Sequence, residues 1–183
     1  MSFFLFLYKI QHISTKLTVI VVSIFFKGGI IMEKYEINEN TAAIIGVNDN
    51  LSKVIEGNKE YFVGDSSFSI MENSCEYFGS TCSGRIIGSR KMLGANYKVP
   101  IIVEESRDII FFPISEIDNP KCTWISLNWF DRVEEDYNKN YIYLKSGKKI
   151  PTKVSIYSIE NQVLRSSKLN LILNNRKKGQ NNL

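Results

Sequence analysis

Apolar residues in this chain come in short runs separated by turn-forming residues, until one long helical pattern closes the sequence. Residues 35–37 and 41–47 read as strands, the second β-branched and apolar up to the turn signal Asn48-Asp49-Asn50. Residues 51–55 and 60–63 predict a hairpin around Gly57-Asn58. Over residues 68–78 the apolar positions Ile70, Met71, Cys75 and Phe78 change to helical spacing, and Gly79 is placed to end that helix in the left-handed conformation. Residues 83–93 predict a second short helix, weakened by Gly84 and Gly88. Residues 99–103 and 109–112 are strands joined across Glu104-Glu105-Ser106-Arg107, with Pro113 ending the second or holding it at a sheet edge. Residues 122–133 alternate as one longer strand, with Cys122, Trp124, Ser126, Asn128, Phe130 and Arg132 on one face. Residues 141–145 and 148–152 predict a hairpin across Ser146-Gly147. Ser158 then reads as a helix N-cap with Glu160 in the first turn. That helix is expected to run to about Asn174 and to bury Ile159, Val163, Leu164, Leu171 and Ile172. The polar stretch 175–183 is expected to be a disordered tail.

These elements predict an α+β fold: a single domain of antiparallel strands with a central helical segment and a C-terminal helix. The length of 183 residues suits one domain, and an apolar fraction of 44% is enough for a real core. Neither an internal repeat nor a linker divides it. The cysteines Cys75, Cys82 and Cys122 are odd in number and not closely paired, so they suggest neither a disulfide framework nor a zinc ribbon. Small buried thiols in a reducing cytosol are expected, and no cofactor.

Residues 1–31 differ in character from the rest of the chain. Phe3-Phe4-Leu5-Phe6-Leu7 and residues 17–26 are apolar, yet Lys16 and Lys27 enclose only ten residues, whereas a membrane-spanning helix needs about 20. A secretory signal would show a small-residue cleavage site, and only Lys27-Gly28-Gly29 is found after the apolar run. That tripeptide is what a purine-rich ribosome-binding signal yields when translated. Residues 1–31 are therefore expected to be translated leader with the true start at Met32, a hydrophobic anchor being the alternative. The segment holds Lys9, Lys16 and Lys27 and no acid, so without it the net charge falls from +4 to +1. It also holds His12, the sole histidine. Without an imidazole, Ser-His-Asp and Cys-His catalysis and most catalytic zinc sites are excluded. The acidic runs Glu104-Glu105 and Glu134-Glu135-Asp136 are expected to be solvated loops with unperturbed carboxylates.

The most informative stretch runs Ser74-Cys75-Glu76-Tyr77-Phe78-Gly79-Ser80-Thr81-Cys82-Ser83-Gly84-Arg85. Its glycines mimic a phosphate-binding nucleotide loop, but Arg85 replaces the lysine, Ile86 replaces the magnesium-binding hydroxyl, and no apolar strand precedes Gly79. The same stretch resembles the central motif of the competence transcription factor family, the ComK-type proteins. The likeness continues through Val99-Pro100-Ile101-Ile102-Val103, Ile109-Ile110-Phe111-Phe112-Pro113 and Pro120-Lys121-Cys122-Thr123-Trp124-Ile125-Ser126, and it ends in Ser158-Ile159-Glu160-Asn161-Gln162-Val163-Leu164-Arg165. It covers roughly residues 32–173, in order. The resemblance implies a cytoplasmic, nucleoid-associated activator of DNA-uptake genes. Such a protein binds paired AT-rich boxes in double-stranded DNA, largely from the minor groove. Paired boxes imply self-association, and activation implies contact with the transcription machinery. No membrane partner is expected if the start is Met32.

Charge is polarised along the chain. From Lys145 onward the bases are Lys145, Lys148, Lys149, Lys153, Arg165, Lys168, Arg176, Lys177 and Lys178, against Glu160 alone. The central motif is a second basic zone, with Arg85, Arg90, Lys91 and Lys98. Two cationic zones can together track a phosphate backbone, and arginine suits a narrow AT-rich minor groove. Arg85, Arg90 and Lys91 are expected to enter or flank the groove, and Lys148, Lys149, Arg165 and Lys168 to contact phosphates, with Lys98 beside them. Two other readings stay open. Trp124, Trp129, Phe111, Phe112, Tyr77 and Phe78 could form a stacking platform for single-stranded nucleic acid, although aromatics among Ile and Leu neighbours are core residues as a rule. Residues 1–31 could instead tether an interaction protein to a membrane.

Overall fold

The computed structural model describes residues 31–117 and 119–180, without the side chains of residues 31 and 180. Its centre is a seven-stranded sheet. The strands are β1 (Ile31–Met32), β2 (Thr41–Asn48), β3 (Leu51–Glu56), β4 (Lys59–Val63), β5 (Ile101–Glu104), β6 (Ile109–Pro113) and β7 (Thr123–Ser126). Their order is β1-β4-β3-β2-β7-β6-β5. Every pairing is antiparallel except the short parallel contact of β1 with β4. Three further strands, β8 (Phe130–Asp136), β9 (Lys139–Leu144) and β10 (Lys149–Thr152), form a second antiparallel sheet. Helices α1 (Ser67–Tyr77) and α2 (Cys82–Leu93) follow β4, and α3 (Ile156–Gln180) closes the described chain.

The large sheet is apolar on both faces, so its strands read as unbroken hydrophobic runs. Ile44, Val54, Phe111 and Trp124 point to one side and pack on Ile70, Met71 and Cys75 of α1 and on Cys82 of α2. Ala43, Ile55, Phe112 and Ile125 point to the other, against Ile142, Leu144 and Ile150 of the small sheet and Ile159 of α3. At the β5–β6 edge, Ile102 and Ile110 meet Leu169 and Leu173 of α3, with Met92 and Leu93 of α2 alongside. This edge brings the central helical segment to the C-terminal helix. The result is the mixed α+β domain predicted, with antiparallel strands, a central pair of helices and a C-terminal helix.

Leu164 and Leu171 of α3 are exposed rather than buried, and four other expectations about the elements need correction. Residues 35–37 form no strand; Tyr35 and Ile37 are buried in a connection, where the Ile37 amide donates to Ser74 Oγ at 3.0 Å. Residues 122–133 are two strands, not one. The chain turns at 127–129, the Leu127 amide donating to Ile110 O and the Trp129 amide to Ser126 O, so the period-2 pattern passes from one sheet into the next. The N-cap of α3 is Ser155, whose Oγ accepts from the Ser158 amide at 3.2 Å. Finally, α3 continues past Asn174 to Gln180, so residues 175–180 are helical rather than a disordered tail. Residues 181–183 and the proposed leader, except Ile31, lie outside the described residues. Among the described residues no helix is long and apolar enough to cross a membrane.

Candidate nucleic-acid interface

The Gly-rich stretch folds as two helices around a tight corner. Ser66 Oγ accepts from the Ser69 amide to start α1. Gly79 leaves that helix at φ +74°, as its sequence position predicts, and the Ser80 amide donates back to Cys75 O. Thr81 then caps α2 by accepting the Gly84 amide at 3.0 Å. A Cβ on residue 84 would lie 2.9 Å from that capping oxygen, so glycine lets the cap form. The corner sets Cys75 and Cys82 side by side. The Cys82 thiol donates toward Cys75 and, together with Arg85, lowers the Cys75 pKa, while the same hydrogen bond and burial raise that of Cys82. All three cysteines are free and buried.

One helical turn beyond the cap, Arg85 points into a cleft of about 420 Å³ between α2 and α3. Ser80, Gly84 and Gly88 line one wall, Arg176 and Lys177 the other, with Glu105 at the rim. The Nε of Arg85 is buried and lacks a hydrogen-bond partner among the described residues. A buried donor without a partner is costly, because water has been removed without replacement. Lys177 is already held by Asp108 Oδ1 at 2.9 Å and by the Glu105 carbonyl. Among the described residues Arg176 has no acid within ion-pair distance. The cleft thus offers two uncommitted guanidinium groups beside the apolar side chains of Met92, Ile102 and Leu173.

The other predicted bases fall in two places. Arg90 and Lys98 line a broader groove of about 800 Å³ with Phe68, Ile86, Tyr97 and Glu116. Lys98, at φ +47°, lays its ammonium 5.1 Å from the Tyr97 ring centre. Arg165 reaches across from α3 to donate to the Tyr97 carbonyl at 3.0 Å, so it joins the two basic zones. Arg90 and Lys91 occupy the last turn of α2, where cations suit the helix dipole. Lys168 is exposed on α3. Lys148 and Lys149 are instead on the small sheet and committed to acids. Lys148 pairs with Glu60 at 2.9 Å and Lys149 with Asp136 at 3.2 Å, which raises the Lys149 pKa. The Lys149–Asp136 pair has little net field to offer, whereas Glu60 also holds Lys53 at 2.9 Å, so its cluster with Lys148 keeps one net positive charge.

Sequence reasoning missed Arg176 and Lys177, which were assigned to a disordered tail. The signal was the run Arg176-Lys177-Lys178, good helix formers that follow Leu171-Ile172-Leu173 with neither Gly nor Pro between. It also misjudged Glu104. Burial pushes that carboxyl up, but Ser106 and Arg107 outweigh this with hydrogen bonds from their side chains and amides, and the pKa falls to about 2. A carboxylate held ionised in a turn is structural, and its direction is opposite to that of a neutral-pH acid or base. Trp124, Phe111 and Phe112 are fully buried, and Trp129 is half-buried with its Nε1 on Glu39 O. These aromatics hold the sheet layers together and cannot stack on bases.

Fold and cleft define a small α+β domain in which Arg85, Arg176 and Lys177 meet between two helices. The chain belongs to the ComK protein family, whose model matches residues 32–178. It is 30% identical over 140 residues to the competence transcription factor of Bacillus subtilis (strain 168), covering 74% of this chain and 73% of that protein. Family and relative alike place the chain among the competence transcription factors. No solved structure matches it.

Proposed function

We propose that this chain is a DNA-binding transcriptional activator of DNA-uptake genes that recognises AT-rich boxes mainly through the minor groove. One observation carries the proposal: the buried, unpartnered Nε of Arg85, in a cleft that Arg176 and Lys177 also line. The accessible part of the Arg85 side chain, which has no acid partner among the described residues, can meet acceptors on a DNA strand, and the enhanced negative potential of a narrow AT-rich groove favours arginine over lysine. In this reading Arg85 enters the groove and Arg176 holds a flanking phosphate. Arg90, Lys91, Lys98, Arg165 and Lys168 extend the contact along the backbone. Lys149 contributes least, because Asp136 already neutralises it, and Lys148 is held back by a Glu60 that it shares with Lys53. Copies of the chain act together on paired boxes and bring the transcription machinery to them, without catalysis, in the cytoplasm at the nucleoid.

Fluorescence anisotropy on an AT-box duplex and a scrambled duplex, across a salt series, tests this. Arg85→Ala is expected to weaken binding to the AT box more than to the scrambled duplex, whereas Lys168→Ala weakens both alike and flattens the salt dependence by about one phosphate. A minor-groove ligand such as distamycin should displace the wild type. Equal losses for Arg85→Ala on both duplexes would remove the reading role, and indifference to distamycin would remove the groove.

A further inference from the structure

Helix α3 buries Ile159, Gln162, Ser166, Leu169 and Leu173 on one face. Directly opposite stand Tyr157, Leu164 and Leu171, exposed at 74%, 67% and 61%. Each follows the last by seven residues, so they form one stripe about 21 Å long at 1.5 Å per residue. An ordinary solvated helix face carries charges at such positions. Large apolar side chains aligned this way mark a contact surface.

We propose that this stripe pairs with the same stripe of a second copy, the two α3 helices lying antiparallel about a two-fold axis through Leu164. The sequence of the face is self-complementary about that residue. Tyr157 and Leu171 lie seven places to either side, and the half-buried Ile156 and Ile172 lie eight. Glu160, the one acid on α3, and Lys168 lie four to either side. Antiparallel pairing therefore sets aromatic against aliphatic and brings an acidic turn level with a basic one. Parallel pairing would stack Lys168 on Lys168 and crowd Arg176, Lys177 and Lys178 of both copies at one end. An interface of this kind uses the same patch twice and closes on itself.

The pairing also fits the proposed DNA contact, and this fit and the two-box arm of the test rest on that reading. Arg176 lies twelve residues beyond Leu164, so two copies hold their Arg176 residues about 36 Å apart along the helix direction. That is close to one turn of duplex DNA, about 34–36 Å.

Site-directed cross-linking of the full chain, with a short bis-maleimide, reads the arrangement directly, because the native cysteines are buried. Leu164→Cys is expected to link to itself. Leu171→Cys should link to Tyr157→Cys in a mixed sample but not to itself. Self-linking of Leu171→Cys at the efficiency of Leu164→Cys would mean parallel pairing and would overturn the proposal. So would the absence of all these links both free and on a duplex with two AT-rich boxes one turn apart. Leu164→Lys, at an exposed position and checked for an unchanged urea midpoint, should bind that two-box duplex at least 10-fold more weakly while binding a single box as before. An unchanged two-box affinity would also overturn it. If the wild type bound no DNA, the DNA-binding reading would fail while the cross-links obtained without DNA still decided the pairing.

Discussion

Replacing Arg85 by methionine should make this protein weaker as a DNA binder and no less stable as a fold. Methionine keeps the stem that fills the cleft beside Met92 and Leu173 and removes the guanidinium, whose Nε is buried without a partner. A buried unmatched donor costs roughly 1–3 kcal/mol. Arg85 is only half-buried, so the lower end applies and Arg85→Met should recover up to about 1 kcal/mol. For a domain of this size that is a rise in Tm of about 2–4 °C. On DNA the sign reverses. A charge-assisted hydrogen bond contributes about 1.5–3 kcal/mol, so affinity for an AT-rich box should fall roughly 10- to 100-fold. Urea or thermal unfolding and anisotropy titrations on one preparation measure both. A variant that is destabilised by about 2 kcal/mol or more, yet binds DNA like the wild type, would refute the reasoning: Arg85 would then be a packing residue.

Other perturbations have equally definite outcomes. Gly46→Ala puts a Cβ 2.3 Å from the Pro120 carbonyl oxygen and 2.8 Å from Lys121 Cα. These backbone atoms cannot step aside, so a loss of about 3 kcal/mol or more is expected in urea unfolding. Gly79→Ala meets no atom but must hold φ +74°, so about 1 kcal/mol should be lost. Glu104 has a folded pKa lowered to about 2, so its contribution is present above its unfolded pKa of about 4.3 and disappears as pH falls toward 2. Screened at the surface, it amounts to about 1–2 kcal/mol; the gap in urea midpoint between wild type and Glu104→Gln should be full at pH 6 and closed near pH 2. Lys149→Ala should leave DNA affinity within about twofold, because the pair it breaks with Asp136 is exposed.

Most strands were legible because the large sheet is covered on both faces. Residues such as Ile44, Phe111 and Ile125 sit in runs that only a doubly buried strand explains. The corner at Gly79 was legible for a different reason: a positive φ leaves few alternatives to glycine. Local pattern failed where tertiary contacts decide. Nothing in the alternation over residues 122–133 marks the passage from β7 to β8; the turn is fixed by hydrogen bonds to Ile110 and Ser126 in the assembled sheet. On α3 the apolar residues Leu164 and Leu171 were expected inside, yet Gln162 and Ser166 are the buried ones. Ser166 Oγ satisfies itself on the Gln162 carbonyl at 2.7 Å, which lets a polar residue occupy a core position and turns a leucine outward. Of the predicted basic residues, Arg85 was legible from its motif, whereas the availability of each lysine was not, since its acid partner lies far away in sequence: Glu60 for Lys148, 88 residues off.

That last point decides how the surface works. A cation already paired must give up its acid before it can take a phosphate, so it adds little net attraction. A cation with unmet donors loses nothing on binding. By count, the small sheet looks more basic in sequence than the α2–α3 cleft, with Arg132, Lys139, Lys145, Lys148 and Lys149 against Arg85, Arg176 and Lys177. By availability they differ: Lys149 carries its counter-ion with it and Lys148 shares Glu60 with Lys53, while Arg85 and Arg176, which line one cleft, have no acid partner among the described residues. A chain with a net charge of only +4 can therefore hold a polyanion, provided its uncommitted cations converge. The β5–β6 edge makes them converge, because it is where Met92 and Leu93 of α2 and Leu173 of α3 pack together.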